Sequence, residues 1–383
     1  MHEYIHRNIE NFLQLNLETF PAVVLLGSRQ CGKSTLIKKL ATNLPDFLYL
    51  DLQNYQDLNR LSDLNLFFIS NDHATICLDE VQLLPEIFSH LRSEIDRNRR
   101  NGKFILLGSA SQELIQKTSE SLAGRVGLVT LTPFTFYELD KTDSFTMQSH
   151  WLRGGYPDSY LTASDEASDL WRVNFVRTYI ERDIPQLGIQ IPALQLRRLL
   201  TMLAHSQGQM LNLSKLGELF GTSHTSIRRY IDLFEQTFIV RSLQPFETNI
   251  KKRLVKTPKL YLRDSGLLHH LLAISNFNQL LGNPIVGSSW EGYVIENITT
   301  KYPDYQAFFY RTSSGDKIDL ILEKGNERIA IECKVSSAPT LTKGFWNSIE
   351  IIKPTKSFII VPIDTLYELK QNVWVTGLKQ LAL

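Results

Sequence analysis

AVVLLGSRQCGKSTLIKKLA, residues 22–41, decides the fold of the first third of the chain. The run AVVLL has the length and composition of a buried strand. GSRQCGKS (27–34) satisfies G-x-x-x-x-G-K-[ST], and TLIKKLA continues as an amphipathic helix. Strand, glycine loop and helix in this order make a phosphate-binding loop, because loop amides and the helix N-terminus converge on one anion. Gly27, Ser28, Arg29, Gln30, Cys31 and Gly32 would wrap the phosphates. Lys33 would reach the β- and γ-phosphates, Ser34 would ligate Mg²⁺, and Thr35 would follow in the first helical turn. Cys31 occupies a variable position of the loop, so no redox role is assigned to it.

Outward from this loop, apolar runs alternate with amphipathic stretches: FLYLDL (47–52), TICLDE (75–80), FILLGSAS (104–111) and VGLVTLT (126–132). That rhythm predicts a parallel sheet covered on both faces, an α/β fold over residues 1–135. TICLDE ends its strand with Asp79 and Glu80, which places two carboxylates at the carboxyl edge beside the loop. Asp79 would hold Mg²⁺, and Glu80 would polarise an attacking water; Glu80 is what points to hydrolysis of the nucleotide. Ser109, after the next strand, is placed to sense a γ-phosphate. Arg125 in SLAGRVG and Arg153 in RGGYPD are candidates to offer a guanidinium to phosphates, in cis or to a neighbour's site, with a structural ion pair as the alternative for each.

Residues 136–205 read as a helical lid or bridge. Residues 206–275 carry helix, turn, helix and strand, the order of a winged helix-turn-helix. In TSHTSIRRYIDLFEQ, Ile227, Ile231 and Phe234 form the buried face, Thr222 or Ser223 caps the start, and Ser226, Arg228 and Arg229 face outward. With Lys251, Lys252, Arg253, Lys256 and Lys259 nearby they form a local basic excess suited to DNA phosphates. Winged helices also dock proteins, so a DNA partner and a protein partner both stay open. Residues 276–383 read as a smaller α/β domain.

The 383 residues are 43% hydrophobic and 21% charged, with 41 Lys+Arg against 40 Asp+Glu, so no global basic excess marks a nucleic-acid or membrane-surface binder. Three scattered cysteines, Cys31, Cys77 and Cys333, lack metal spacing and suit a reducing cytosol. The first residues lack the pattern of a secretion signal, and no run approaches the roughly 18 apolar residues that span a bilayer. His205 and the pair His269–His270 have no metal-ligand spacing. Monomer and ring remain equally compatible with these motifs.

GSRQCGKST, TICLDEVQ, FILLGSAS, SLAGR, LTPFTFYEL, RGGYPD, YIERDI and IDLILEKGNERIAIECK together resemble bacterial and archaeal AAA-superfamily P-loop ATPases that carry a C-terminal domain of unknown function related to restriction endonucleases. The resemblance spans nearly the whole chain; GSAS departs from the commoner GSS or GSN but keeps Ser109. It implies an ATPase core using ATP and Mg²⁺, a helical lid, a winged helix and a restriction-endonuclease-like α/β end. In that end, Asp319, Glu332 and Lys334 form D-x₁₂-E-x-K, the grouping of a metal-dependent nuclease, with Glu296 of the preceding helix as the expected fourth member. The favoured expectation is an ATPase that couples hydrolysis to rearrangement of the winged-helix and nuclease-like parts. A DNA nuclease with a regulatory ATP site and a nucleotide-gated protein-binding switch are the alternatives.

Overall fold

The computed structural model describes residues 3–42, 44, 46–108, 120–186, 191–247 and 257–383. The chain divides into two compact units, one of Glu3–Pro133 with Gln236–Phe238, the other of Phe134–Glu235 with Ile239–Leu383.

In the first unit the apolar runs become β1 (Ala22–Leu26), β2 (Phe47–Asp51), β3 (Thr75–Asp79), β4 (Phe104–Gly108) and β5 (Val126–Thr130). They pair in parallel in the order β2-β3-β4-β1-β5. Side chains alternate across a strand, so β1 feeds two cores. Val24 and Leu26 pack with Leu78, Leu106, Phe68, Leu91 and Ile95 on one face. Val23 and Leu25 pack with Leu13, Leu36, Ile37, Cys77 and Ile105 on the other. The helices supplying those layers are α1 (Glu10–Thr19), α2 (Lys33–Ala41), α3 (Tyr55–Arg60), α4 (Leu64–Ser70) and α5 (Ile87–Arg97). Each fully buried aliphatic side chain contributes roughly 1.5–3 kcal/mol, which explains why β1, β3 and β4 are apolar almost without interruption. Because β1 lies three strands from β2, the chain reverses direction there and opens a crevice at the carboxyl edge of the sheet.

The second unit begins with α6 (Phe136–Leu139), α7 (Met147–Arg153), α8 (Pro157–Tyr160), α9 (Asp165–Thr178) and α10 (Ala193–His205). Between α9 and α10, Tyr179–Asp183 of the YIERDI motif forms a π-helical turn. Next come α11 (Leu213–Phe220) and α12 (His224–Gln236). Ser223 Oγ accepts from the Ser226 amide at the start of α12. Ile227, Ile231 and Phe234 are fully buried, as the helical spacing predicts.

A nine-stranded sheet completes this unit. Its members are β6 (Gln209–Met210), β7 (Val240–Pro245), β8 (Lys259–Leu262), β9 (Gln306–Arg311), β10 (Lys317–Lys324), β11 (Glu327–Cys333), β12 (Lys356–Ile360), β13 (Leu366–Lys370) and β14 (Val373–Thr376). Their order is β13-β14-β12-β11-β10-β9-β7-β8-β6. The parallel seam between β7 and β9 sets Gln244 opposite Phe308 and Pro245 opposite Phe309. Residues 206–275 and 276–383 therefore share one sheet. Packed with it are α13 (Ser265–Leu271), α14 (Phe277–Gly282), α15 (Val286–Lys301) and α16 (Lys343–Ile352), with Trp151, Trp290, Tyr293 and Phe309 central to the core.

Candidate functional site

The glycine loop joins β1 to α2 at the crevice. Gly32 sits at the N-cap of α2 with φ 100°, a left-handed conformation that glycine adopts without strain, and no side chain caps the first turn. The helix therefore keeps its amide donors for an anion. Gly27 leaves no room for a side chain, since a Cβ there would stand 2.3 Å from the Leu131 carbonyl oxygen. The loop is gripped from behind by Arg7, whose guanidinium donates to the carbonyls of Cys31 at 3.1 Å and Thr132 at 2.5 Å. Cys31 is fully buried with its Sγ 3.5 Å from the Leu131 oxygen, so it is a packing residue. Thr35 and Gln30 are exposed.

Two features fit this cradle to a phosphate chain. Lys33 Nζ donates to the Gly27 and Ser28 carbonyls at 3.0 Å each, which holds the ammonium within the loop. Ser28 Oγ is buried with no hydrogen-bond partner among the described residues. Beside the loop, Ser34 Oγ donates to Asp79 Oδ2 at 2.7 Å, so the two residues expected to share Mg²⁺ are adjacent. Tyr49 of β2 donates its phenol to the same carboxylate oxygen. Burial, and then the Asp79 bond, push that phenol's pKa well up, so it stays a donor. Glu80 adopts φ 56°, and its carboxylate is engaged by Arg29, 3.7 Å from its Oε1, and by a hydrogen bond from Gln82. Tyr49 and Arg7 escape a motif search because each acts on a motif residue from a separate segment, whereas Gln82 closes the TICLDEVQ run itself.

A second cluster of charge lies on the nine-stranded sheet. The antiparallel register that puts Leu320 opposite Ile331 brings Asp319 and Glu332 side by side, both nearly inaccessible. Lys334 donates to Glu332 at 2.7 Å, and Lys317 donates to Asp319 at 2.8 Å. Burial and then the Asp319 charge push Glu332 up to about 7. Burial also favours a neutral Asp319, but Lys317 and Lys259 outweigh it and hold this carboxyl below its usual range. From α15, Glu291 enters the cluster, accepting from Lys259 at 2.8 Å and from Tyr261. Among the described residues no three His, Cys, Asp or Glu side chains are placed to hold a metal ion together.

Profiles of known families cover the chain in three parts: an AAA domain at 19–140, a domain of unknown function (DUF8612) at 144–278 and another (DUF4143) at 286–381. An uncharacterized protein of Mycobacterium tuberculosis is 36% identical over 361 residues, 94% of this chain and 81% of its own. The chain belongs to the family of AAA-domain proteins that this relative represents. An uncharacterized protein of Haemophilus influenzae is 23% identical over 305 residues, 70% of this chain and 74% of its own. Among solved structures, the Walker-type ATPase of Pyrococcus abyssi matches with a TM-score of 0.50 at 16% identity, covering 70% of this chain and 96% of that one. The likeness is one of fold. The first unit is thus an AAA-type P-loop ATPase-like domain, and no helix among the described residues is long and apolar enough to cross a membrane.

In this AAA-domain protein several expected residues stand elsewhere. Arg125 precedes β5, whose Val126 lies opposite Ala22, so it occupies the amino edge of the sheet, about 15 Å from the loop at roughly 3.3 Å per strand residue. Its guanidinium grips Asp96 through two bonds of 2.7 and 3.0 Å. Arg125 is therefore an ion-pair residue and takes no part in the phosphate site of its own chain. Arg153 is likewise engaged, by Asp165 at 2.6 Å and the Thr162 carbonyl at 2.9 Å. Glu296 does not join Asp319 and Glu332: Arg241 and Arg263 bind it at 2.9 and 2.6 Å and, against the effect of burial, hold it at about 2. Lys259, expected in a solvated basic stretch, is instead buried in the carboxylate cluster. Arg229 is exposed, while Arg228 pairs with Asp232 at 2.8 Å. Ser109, Lys251, Lys252, Arg253 and Lys256 lie outside the described residues.

Proposed function

We propose that the chain is a Mg²⁺-dependent ATPase whose nucleotide cycle acts on the winged-helix and nuclease-like parts of its second unit. The observation that carries the reading is the adjacency of Ser34, Asp79 and Glu80 at the mouth of the glycine loop. Bound Mg²⁺ would neutralise the phosphate chain and polarise it for attack. Lys33 exchanges its two carbonyl partners for phosphate oxygens, and the α2 amides complete the cradle. Ser34 and Asp79 hold the ion's place, while Glu80 orients a water once Arg29 and Gln82 release it. Loss of phosphate contacts after hydrolysis then biases the second unit, the general logic of nucleotide switches.

DNA as the object of that cycle is supported by exposed Arg229 on α12, the helix proposed to enter a groove, and a protein partner is the alternative. Cleavage of a phosphodiester by the C-terminal cluster is a second reading, favoured by the convergence of Asp319, Glu332 and Lys334. The test of the main proposal is steady-state phosphate release by wild type and Glu80→Gln, with and without double-stranded DNA. Glu80→Gln is expected to bind Mg·ATP normally and to turn over at least about 100-fold more slowly. Undiminished turnover in that variant would remove Glu80 from the mechanism, and acceleration by DNA would support the coupling.

A further inference from the structure

Six side chains of the second unit form an alternating run of charge. Lys259 Nζ lies 2.8 Å from Glu291 Oε1 and 3.9 Å from Asp319 Oδ1. Lys317 Nζ lies 2.8 Å from that same Asp319 oxygen and 3.8 Å from Glu332 Oε1, and Lys334 Nζ lies 2.7 Å from Glu332 Oε1. Glu332 Oε2 is buried and has no hydrogen-bond partner among the described residues. The lysines differ in their access to water: the side chains of Lys317 and Lys334 are 41% and 26% exposed, that of Lys259 only 4%. Lys317 and Lys334 can swing outward. Lys259 is confined beside the ring of Phe309, 5.4 Å from its centroid.

Buried carboxylates need a compensating cation, which in a protein is either an ammonium or a metal ion. We infer that Lys259 is the resident cation of this cluster, its ammonium standing between Glu291 and Asp319 where a divalent ion would otherwise bridge them, so that Mg²⁺ or Mn²⁺ binds there only when Lys259 is displaced. The lysine belongs to β8, which also pairs with β7 and β6, so the strand that carries the block comes from the proposed winged-helix segment. A shift of β8 by a few ångströms withdraws the ammonium and leaves Glu291 and Asp319, the two carboxylates it touches, for a cation to bridge. The inference concerns this cluster alone and is independent of the ATPase reading.

The experiment titrates Mn²⁺ into the full-length, nucleotide-free protein, followed by calorimetry and by the electron paramagnetic resonance signal of free Mn²⁺. Wild type is expected to show only weak, unsaturated uptake. Lys259→Met is expected to create one site at least about tenfold tighter, which Asp319→Asn on the same background abolishes. Because Lys259→Met leaves carboxylates uncompensated, its thermal midpoint is measured in parallel, and Mn²⁺ should raise it more than it raises that of wild type. Two results overturn the inference. One is tight Mn²⁺ binding by wild type that Asp319→Asn alone removes; the other is a Lys259→Met protein whose binding and melting are both indifferent to Mn²⁺. Plasmid cleavage is scored separately, so a failure of the nuclease reading leaves the metal measurement intact.

Discussion

Asp79 joins three segments of the first unit. It lies at the end of β3, accepts from Ser34 of the loop helix and from Tyr49 of the neighbouring strand, and accepts the Glu80 amide at 2.9 Å. Those donors fix one carboxylate rotamer before any ion arrives, which lowers the reorganisation needed to bind it. Tyr49→Phe should therefore weaken the response to the metal and spare the nucleotide. The Mg²⁺ concentration giving half-maximal phosphate release is expected to rise several-fold, equivalent to about 1 kcal/mol for one hydrogen bond, with kcat at saturating Mg²⁺ nearly unchanged. An equal fall in kcat at saturating Mg²⁺ would show that the phenol serves the chemistry and not the ion. Tyr49 could not be picked out beforehand, because an aromatic residue within FLYLDL reads first as core, and only the β2–β3 register turns its hydroxyl toward Asp79.

Elements explain what the glycine-rich RGGYPD segment does. Within its own unit it makes a joint between the end of α7 and the start of α13. Asp264 caps α13 by accepting from the Leu267 amide at 2.8 Å, and it accepts from the Gly155 amide at 2.8 Å as well. Burial favours the neutral acid and raises its pKa, yet those backbone donors are what the carboxylate is there to satisfy. Asp264→Ala removes a helix cap and orphans a buried amide together, so a loss of about 2–4 kcal/mol is expected, measured as a drop in the urea midpoint. A drop no larger than a surface substitution gives would refute this account. The same scale shows why Glu291 was missed and Glu296 chosen. The two lie five residues apart on α15, about 140° around the helix, and a helix buried on nearly every side carries no amphipathic phase to say which acid faces the sheet. Glu332 and Lys334, two residues apart on a strand, were legible as sharing one face, whereas Asp319 joined them through the family resemblance and is brought alongside by the β10–β11 register.

At the scale of the whole molecule, the two units were not equally readable. The parallel sheet of the first was legible from its five apolar runs and the punctuation between them. The nine-stranded sheet was not, because the seam joining β7 to β9 rests on two residue pairs more than 60 positions apart, which no local pattern announces. The second unit also carries two histidines, His150 and His269, fully enclosed and hydrogen-bonded to Tyr293, Ser289 and backbone carbonyls. Burial lowers each to about 4 from an ordinary 6.5. Both are neutral in the folded state, whereas the unfolded chain takes up protons below 6.5. Their contribution to stability is complete above that value and is lost as the pH falls toward 4, at about 3 kcal/mol for each. The midpoint of melting followed by tryptophan fluorescence should shift steeply downward across this interval. A His269→Gln variant should show a shallower slope, and an unchanged slope would mean that other groups govern the acid transition.

The seam between β7 and β9 decides how the protein can be taken apart. A gene fragment ending near residue 275 would strip β7 of its neighbour and leave a row of unpaired amides and carbonyls, together with an Arg241, an Arg263 and a Lys259 deprived of their acids. The complementary fragment would expose the matching edge of β9 and strand Glu291 and Glu296 without cations. Each half is thus expected to aggregate when expressed alone and to recover when the two are co-expressed, so deletion mapping across this boundary would report misfolding in place of function.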